Sequence, residues 1–270
     1  MLSYQHIYHA GNHVDCQKHV MLSALLQSFD GFHYIDTHSG RGLYDLDADE
    51  ARKIAEYRTG IDKIWSLTNW PKELRLFQHF LEDLNQDGVC RYYPGSPMVA
   101  LAHAGQTDRL DLYEIHPQEL SALQDNMTRY AQAYIHNQSG WDVLSHALPQ
   151  SDKQQIILID PSYELKDEYS NMPHLVEQAL KQAPDAIILV WYPMLTANRH
   201  ETMLHGFKSL ATATPILKNE IIINDTVNAK GLYGTGLLCI NPPQGYDAVM
   251  SKLSAWLSNA IGIAETVEFL

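Results

Sequence analysis

No apolar run in this chain approaches the roughly 20 residues that a membrane span requires. Residues 1–17 lack a basic segment followed by an apolar one, so no secretory signal is expected. Cysteine is scarce: Cys16, Cys90 and Cys239 are odd in number and far apart. That excludes a disulfide framework and reads as reduced thiols in a cytoplasmic protein. Positive charge is also scarce, with 19 Lys and Arg against 32 Asp and Glu and a net charge of −13. The basic excess that gives most nucleic-acid binders their non-specific affinity is missing. Any nucleic acid would have to be held through a small local face, in a salt-sensitive way. There is no G-x-S-x-G and no cysteine in a nucleophile context, which sets aside serine and thiol hydrolases. No internal repeat or low-complexity segment is present. His6, His9, His13 and His19 crowd the N-terminus, but their spacing matches no zinc pattern and no cysteine pair accompanies them. No metal is expected. These histidines read as a hydrogen-bonded loop and helix cap, or as a polar lid over a cofactor with Lys18 and His19 near it.

What is present is an ordinary 45% of apolar residues, distributed as β-rich runs separated by helical stretches. Strands are expected at His33–Asp36, Leu110–Ile115, Ala133–Asn137, Gln155–Asp160, Ala186–Tyr192, Glu220–Val227 and Gly236–Asn241. Continuous Ile, Leu and Val runs mark strands buried on both faces. Helices are expected at Gln118–Gln132, Ser170–Gln182 and Asn198–Leu210. The alternation predicts an α/β fold with a parallel sheet covered on both sides. One spacing departs from a plain doubly wound fold: 78 positions separate Asp36 from Glu114. Residues 45–93, with Trp65, Trp70, Leu74, Phe77, Phe80 and Leu84, read as a small helical insertion. It is expected to lie beside the active-site mouth.

Three constellations carry chemistry. Asp36-Thr37-His38-Ser39-Gly40-Arg41-Gly42 follows a strand, and its glycines would let a ligand approach the backbone. The third glycine of a dinucleotide fingerprint is missing, whereas an acid at the strand end with a shorter glycine pattern suits a methyltransferase. Glu114 closes the next strand, where an acid can accept both ribose hydroxyls of a nucleoside. Asp160-Pro161-Ser162-Tyr163 follows the most apolar strand. The exocyclic amine of adenine is a poor nucleophile, because its lone pair is delocalised into the ring. The Asp160 carboxylate and the Pro161 carbonyl, accepting its two hydrogens, would concentrate that lone pair on nitrogen. Tyr163 is expected to stack on a base flipped out of its helix.

These residues resemble the RlmJ family, the 23S rRNA adenine-N6 methyltransferases, part of which has carried an older label for use of external DNA. The resemblance covers most of the chain. It rests on Tyr4-Gln5-His6, His9-Ala10-Gly11-Asn12-His13 and Lys18-His19, on the Asp36 turn, and on Arg91-Tyr92-Tyr93-Pro94-Gly95-Ser96-Pro97. Glu114-Ile115-His116-Pro117, the Asp160 motif, Trp191-Tyr192-Pro193, and Gly236 with Asn241-Pro242-Pro243 complete it. It implies a Rossmann-like class I S-adenosylmethionine-dependent methyltransferase, with a core of 1–44 and 94–270 that includes an N-terminal lid, and an insertion of 45–93. It implies S-adenosylmethionine contacts at Lys18, His19, Asp36, His38, Gly40, Ser96, Glu114, Ser139, Gly140 and Asp160. Asp160, with Pro161 and Tyr163, would be catalytic, and Tyr4, His6 and Tyr163 would touch the substrate. Free or precursor 23S rRNA would be the partner of a cytoplasmic monomer. Two positions depart from the family pattern: Ser139 stands where the family has Asp, and Ser162 replaces the second proline of Asp-Pro-Pro-Tyr. Two other functions compete with rRNA methylation. One is methylation of a DNA adenine or a protein glutamine. The other is a non-catalytic nucleic-acid-binding protein used with external DNA.

Overall fold

The computed structural model describes residues 5–223 and 231–270. Helix α1 (His13–Leu26) leads into strand β1 (Phe32–Asp36). The short strand β2 (Leu43–Asp45) opens a segment with helices α2 (Asp49–Ile54), α3 (Ile61–Trp65) and α4 (Arg75–Leu84). Strand β3 (Tyr92–Pro94) ends that segment by pairing antiparallel with β2. Then follow α5 (Ser96–His103), β4 (Arg109–Tyr113), α6 (Pro117–Met127), β5 (Ala133–His136) and α7 (Gly140–His146). The second half contains β6 (Gln154–Ile159), α8 (Asp167–Gln182), β7 (Ile187–Leu195), α9 (Arg199–Leu210) and β8 (Ile216–Ile222). Beyond residue 231 lie β9 (Leu232–Ile240), α10 (Tyr246–Ile261) and β10 (Ala264–Phe269).

Eight strands form one sheet in the order β10-β8-β9-β7-β6-β1-β4-β5. The pairs β5–β4, β4–β1, β1–β6 and β6–β7 are parallel. The sequence predicted a parallel sheet, and three pairs depart from that expectation. β9 runs antiparallel to both β7 and β8, and β10 antiparallel to β8. A parallel pair needs a crossover of a dozen or more residues. Only residues 223–231 separate β8 from β9, so the chain must reverse. Strand β8 begins at Ile216, four residues before the expected start; residues 224–227 of that expected strand lie outside the described residues.

Two apolar layers sandwich the sheet. One gathers α1, α5 and α10 over Tyr34, Leu110, Leu158 and Leu237. The other gathers α7, α8 and α9 over Ile35, Ile157, Val190 and Leu238. This alternation along each strand is the period-two rule at work on a sheet buried on both faces. Helix α1 is buried nearly all round, although it carries Asp15, Gln17, Lys18, His19 and Ser23. Each of these finds a partner. Asn12 caps the helix by accepting from the Asp15 amide at 3.0 Å, and Gln17 Nε2 donates to Asn219 Oδ1 at 2.7 Å. Ser23 meets His103 at 2.9 Å. The chain leaves β1 towards β4 and β5 on one side, then returns to β6 and β7 on the other. That reversal opens a crevice at the carboxyl ends of β1 and β6, where such sheets bind ligands.

Candidate active site

The wall built from β1 is stiff. Asp36 is fully buried, accepting from Tyr34 Oη at 2.8 Å and from the His38 amide at 3.2 Å. Burial raises its carboxyl to about 6, against the pull of hydrogen bonds from Ser96 and Tyr34. Gly40 takes φ +58°, and its amide donates to Glu114 Oε2 at 2.9 Å. The His116 amide donates to Glu114 Oε1 at 2.7 Å. Burial raises the Glu114 carboxyl, and these amides hold it down. An acid thus stands at the end of β4, with both oxygens oriented and each retaining acceptor capacity.

Ser139 and Gly140 close the cleft from the start of α7. A Cβ on Gly140 would lie 2.2 Å from the backbone oxygen of Thr37, so only glycine lets α7 seat against the turn after β1. Trp141 then meets His38 edge-on, with ring centroids 4.7 Å apart. Burial lowers both His38 and His19 to about 3, so both are neutral at physiological pH. His19 is bonded to Tyr93 Oη at 2.8 Å.

The opposite wall is an ion-pair chain. Lys18 Nζ bonds to Asp160 Oδ2 and stands 3.2 Å from Asp15 Oδ1. Asp15 Oδ2 meets His6 Nε2 at 2.8 Å. Burial opposes the Lys18 charge, yet Asp160 and Asp15 hold its ammonium well above the usual lysine range. Burial would likewise raise Asp15, but His6 and Lys18 keep its carboxyl well below the usual range. Lys18 also lies 5.8 Å from the centre of the Trp191 ring.

One cleft brings together His6, Lys18, His19, His38, Gly40 and Ser96 from the first half of the chain. Glu114, Ser139, Gly140 and Asp160 line the same cleft. Three of the expected site residues among those described, Asp36, Pro161 and Tyr163, do not line it. Asp36 lies beneath the turn, where it braces Tyr34, Ser96 and His38. Pro161 has a buried ring. Tyr163 requires the main correction: instead of facing a base, its side chain is 7% exposed. Its φ of +53° swings it inward, where its ring packs 4.4 Å from that of Tyr169 and its hydroxyl donates to the Trp191 carbonyl at 2.7 Å. Tyr4 lies outside the described residues. Sequence reasoning missed Tyr44 and Trp141 among the lining residues. Each stands within two positions of a glycine in the motifs, which is the signal that could have found them.

The family model described as "Ribosomal RNA large subunit methyltransferase D, RlmJ" matches residues 30–269. The chain belongs to this family. Two proteins called Ribosomal RNA large subunit methyltransferase J are each 32% identical to it. The one from Haemophilus influenzae matches over 97% of this chain and 94% of its own length; the Escherichia coli protein matches over 98% and 96%. A crystal structure of a Legionella pneumophila protein superposes with a TM-score of 0.88 at 30% identity, covering 96% of this chain and 98% of that one. The fold is that of a class I methyltransferase dependent on S-adenosylmethionine, and the residues present fit that cofactor. Glu114, its two oxygens oriented by the Gly40 and His116 amides, offers acceptors to a ribose diol, and glycine at 140 lets α7 close the cleft against the turn after β1.

Proposed function

We propose that this methyltransferase acts on the N6 amine of one adenine in 23S rRNA, taking free or precursor RNA as a cytoplasmic monomer. The observation that carries the proposal is the position of Asp160. Its carboxylate closes β6 and opens into the same cleft as Glu114 and Gly40, so donor and acceptor sites share one space. Bound S-adenosylmethionine supplies an electrophilic methyl group. Glu114 holds the ribose, Gly40 and Gly140 admit the nucleoside, and His19, His38, Ser96 and Ser139 shape the rest of the cofactor site. Neutral His38 and His19 add no positive charge to repel the sulfonium.

Asp160 and the Pro161 carbonyl accept the two amine hydrogens, which pushes the nitrogen lone pair towards the methyl group. A carboxylate is far too weak a base to deprotonate a neutral arylamine first. Asp160 would therefore hold the amine while the methyl group passes from the sulfonium to nitrogen, the sulfur–carbon bond breaking to leave the neutral thioether, and would accept the amine proton only afterwards. The amine must displace Lys18 from one Asp160 oxygen or share that carboxylate with it. His6 and Tyr4 contact the substrate from the N-terminal segment, which serves as a lid. Tyr163 fixes the loop from behind. Residues 45–93 form a helical subdomain beside the mouth, tied to the N-terminal loop where Gly60 packs against Gly11 and Asn12.

The test is nucleoside mass spectrometry of 23S rRNA from a strain lacking the gene. One N6-methyladenosine should disappear, and it should return with the wild-type gene but not with Asp160→Ala. An unchanged set of methyladenosines would overturn the proposal.

A further inference from the structure

Ser162 follows Pro161 in the Asp160 loop, and the structure gives it a distinctive setting. It lines the cleft with Asp160 and is half-buried. Its neighbours are fixed: Pro161 is buried with a locked φ, and Tyr163 is pinned through its hydroxyl to the Trp191 carbonyl. No hydrogen bond engages Ser162 among the described residues. A hydroxyl on a stiff loop, beside the reacting carboxylate and without a partner in the protein, is placed for a ligand.

The chemistry narrows that ligand. An adenine held by its N6 amine presents two hydrogens, flanked on either side by the acceptor nitrogens N1 and N7. Asp160 and the Pro161 carbonyl are acceptors and match the hydrogens. A flanking ring nitrogen needs a donor. Lys18 is committed to Asp15 and Asp160, and Glu168, which lines the same cleft, carries a carboxylate and so only accepts. Ser162 supplies the neutral donor on the loop itself. A proline there would bring neither a hydroxyl nor an amide hydrogen.

We infer that the Ser162 hydroxyl donates to a ring nitrogen beside the target amine, so that it selects adenine within this enzyme's own site. The inference rests on the proposed adenine-N6 reaction. It assigns Ser162 a contact with the base and not with the reacting methyl group. A contact made equally in the ground and transition states changes KM and leaves kcat alone.

The experiment uses the full-length enzyme, S-adenosylmethionine, and a synthetic hairpin carrying the target adenosine, 1-deazaadenosine or 7-deazaadenosine. Wild type, Ser162→Ala and Ser162→Pro are compared by steady-state kinetics. On the adenosine hairpin, Ser162→Ala should raise the RNA KM on the order of fivefold, the weight of one neutral hydrogen bond, with kcat within about twofold. One deaza hairpin should cost the wild type a similar factor and cost Ser162→Ala nothing more, which names the nitrogen. Ser162→Pro should behave as the alanine variant does towards that hairpin. Equal KM values for wild type and alanine, or an alanine defect of the same size on all three hairpins, would overturn the contact. Failure of the wild type to methylate the adenosine hairpin would overturn the adenine-N6 reaction, and this inference with it.

Discussion

Lys18 ties a buried acid to one that lines the cleft: its ammonium is bonded to Asp160 and stands 3.2 Å from Asp15. The first helix and the end of β6 thereby share one charge system, with the Lys18 and Asp15 side chains 4% and 0% exposed. Removing the cation leaves the Asp15 carboxylate buried with only His6 to balance it, and Asp160 unpaired at the cleft. Lys18→Met should therefore destabilise the fold by about 3–5 kcal/mol, the usual cost of breaking a buried pair. Urea denaturation measures it. A variant as stable as wild type would show that the pair contributes nothing to folding.

Glu114 holds two backbone amides, from Gly40 and His116, at 2.9 and 2.7 Å. Glutamine in its place would turn one acceptor into a donor facing an amide hydrogen. Glu114→Gln should weaken S-adenosylmethionine binding by roughly tenfold or more, the weight of a hydrogen bond to a charged group. Calorimetry gives the affinity directly, and an unchanged value would remove Glu114 from the cofactor site.

Gly140 has no room for a side chain, since a Cβ would strike the Thr37 backbone at 2.2 Å. Gly140→Ala should push α7 off the turn after β1. We expect a loss of about 1–3 kcal/mol in stability from overpacking, together with weaker cofactor binding. Gly105 is the control, because its Cβ would meet only Asp108 Oδ2 at an ordinary 3.6 Å. Equal behaviour of the two alanine variants in thermal unfolding and calorimetry would refute the packing argument.

Asp36 gives the fold a specific pH response. Its folded-state value of about 6 lies above the ordinary aspartate value of 3.8, so the folded protein holds this proton more tightly than the unfolded chain does. Below 3.8 both states are protonated and no stability is lost. Between 3.8 and about 6 stability falls as pH rises, and above that the full penalty, about 3 kcal/mol, persists. Asp36→Asn cannot titrate. Its stability relative to wild type should therefore improve by up to about 3 kcal/mol between pH 4 and pH 7. A difference that stays flat across that range would contradict the assignment.

How legible the molecule was depended on where each residue's partners lie. Strands β6 and β7 stood out because both faces are buried and their Ile, Leu and Val runs are nearly continuous, and β1 and β4 because each ends in an acid-bearing motif. β10 did not, since its exposed, alternating Ala264–Phe269 pattern resembles a polar tail until β8 pairs with it. The hairpin reversal at β9 was hidden because strand direction depends on what connects the strands. Helix α1 lacked an amphipathic signature because its polar residues are matched from distant parts of the chain, as Gln17 is by Asn219. In the site, Glu114 and Asp160 were visible as acids closing apolar strands, and both line the cleft. The direction of Tyr163 was not visible, because a left-handed φ at a non-glycine residue is set by tertiary packing and not by local sequence.

The most direct test is single-turnover methyl transfer from labelled S-adenosylmethionine to 23S rRNA by wild type, Asp160→Asn and Asp160→Ala, each first shown to bind the cofactor. Alanine should lose at least about 10²- to 10³-fold in rate. Asparagine, which keeps one acceptor oxygen, should retain measurably more activity than alanine, because Asp160 orients the amine. Equal inactivity of the two variants would show that the carboxylate charge dominates over orientation. Wild-type rates in both would contradict the central claim that Asp160 holds the reacting amine.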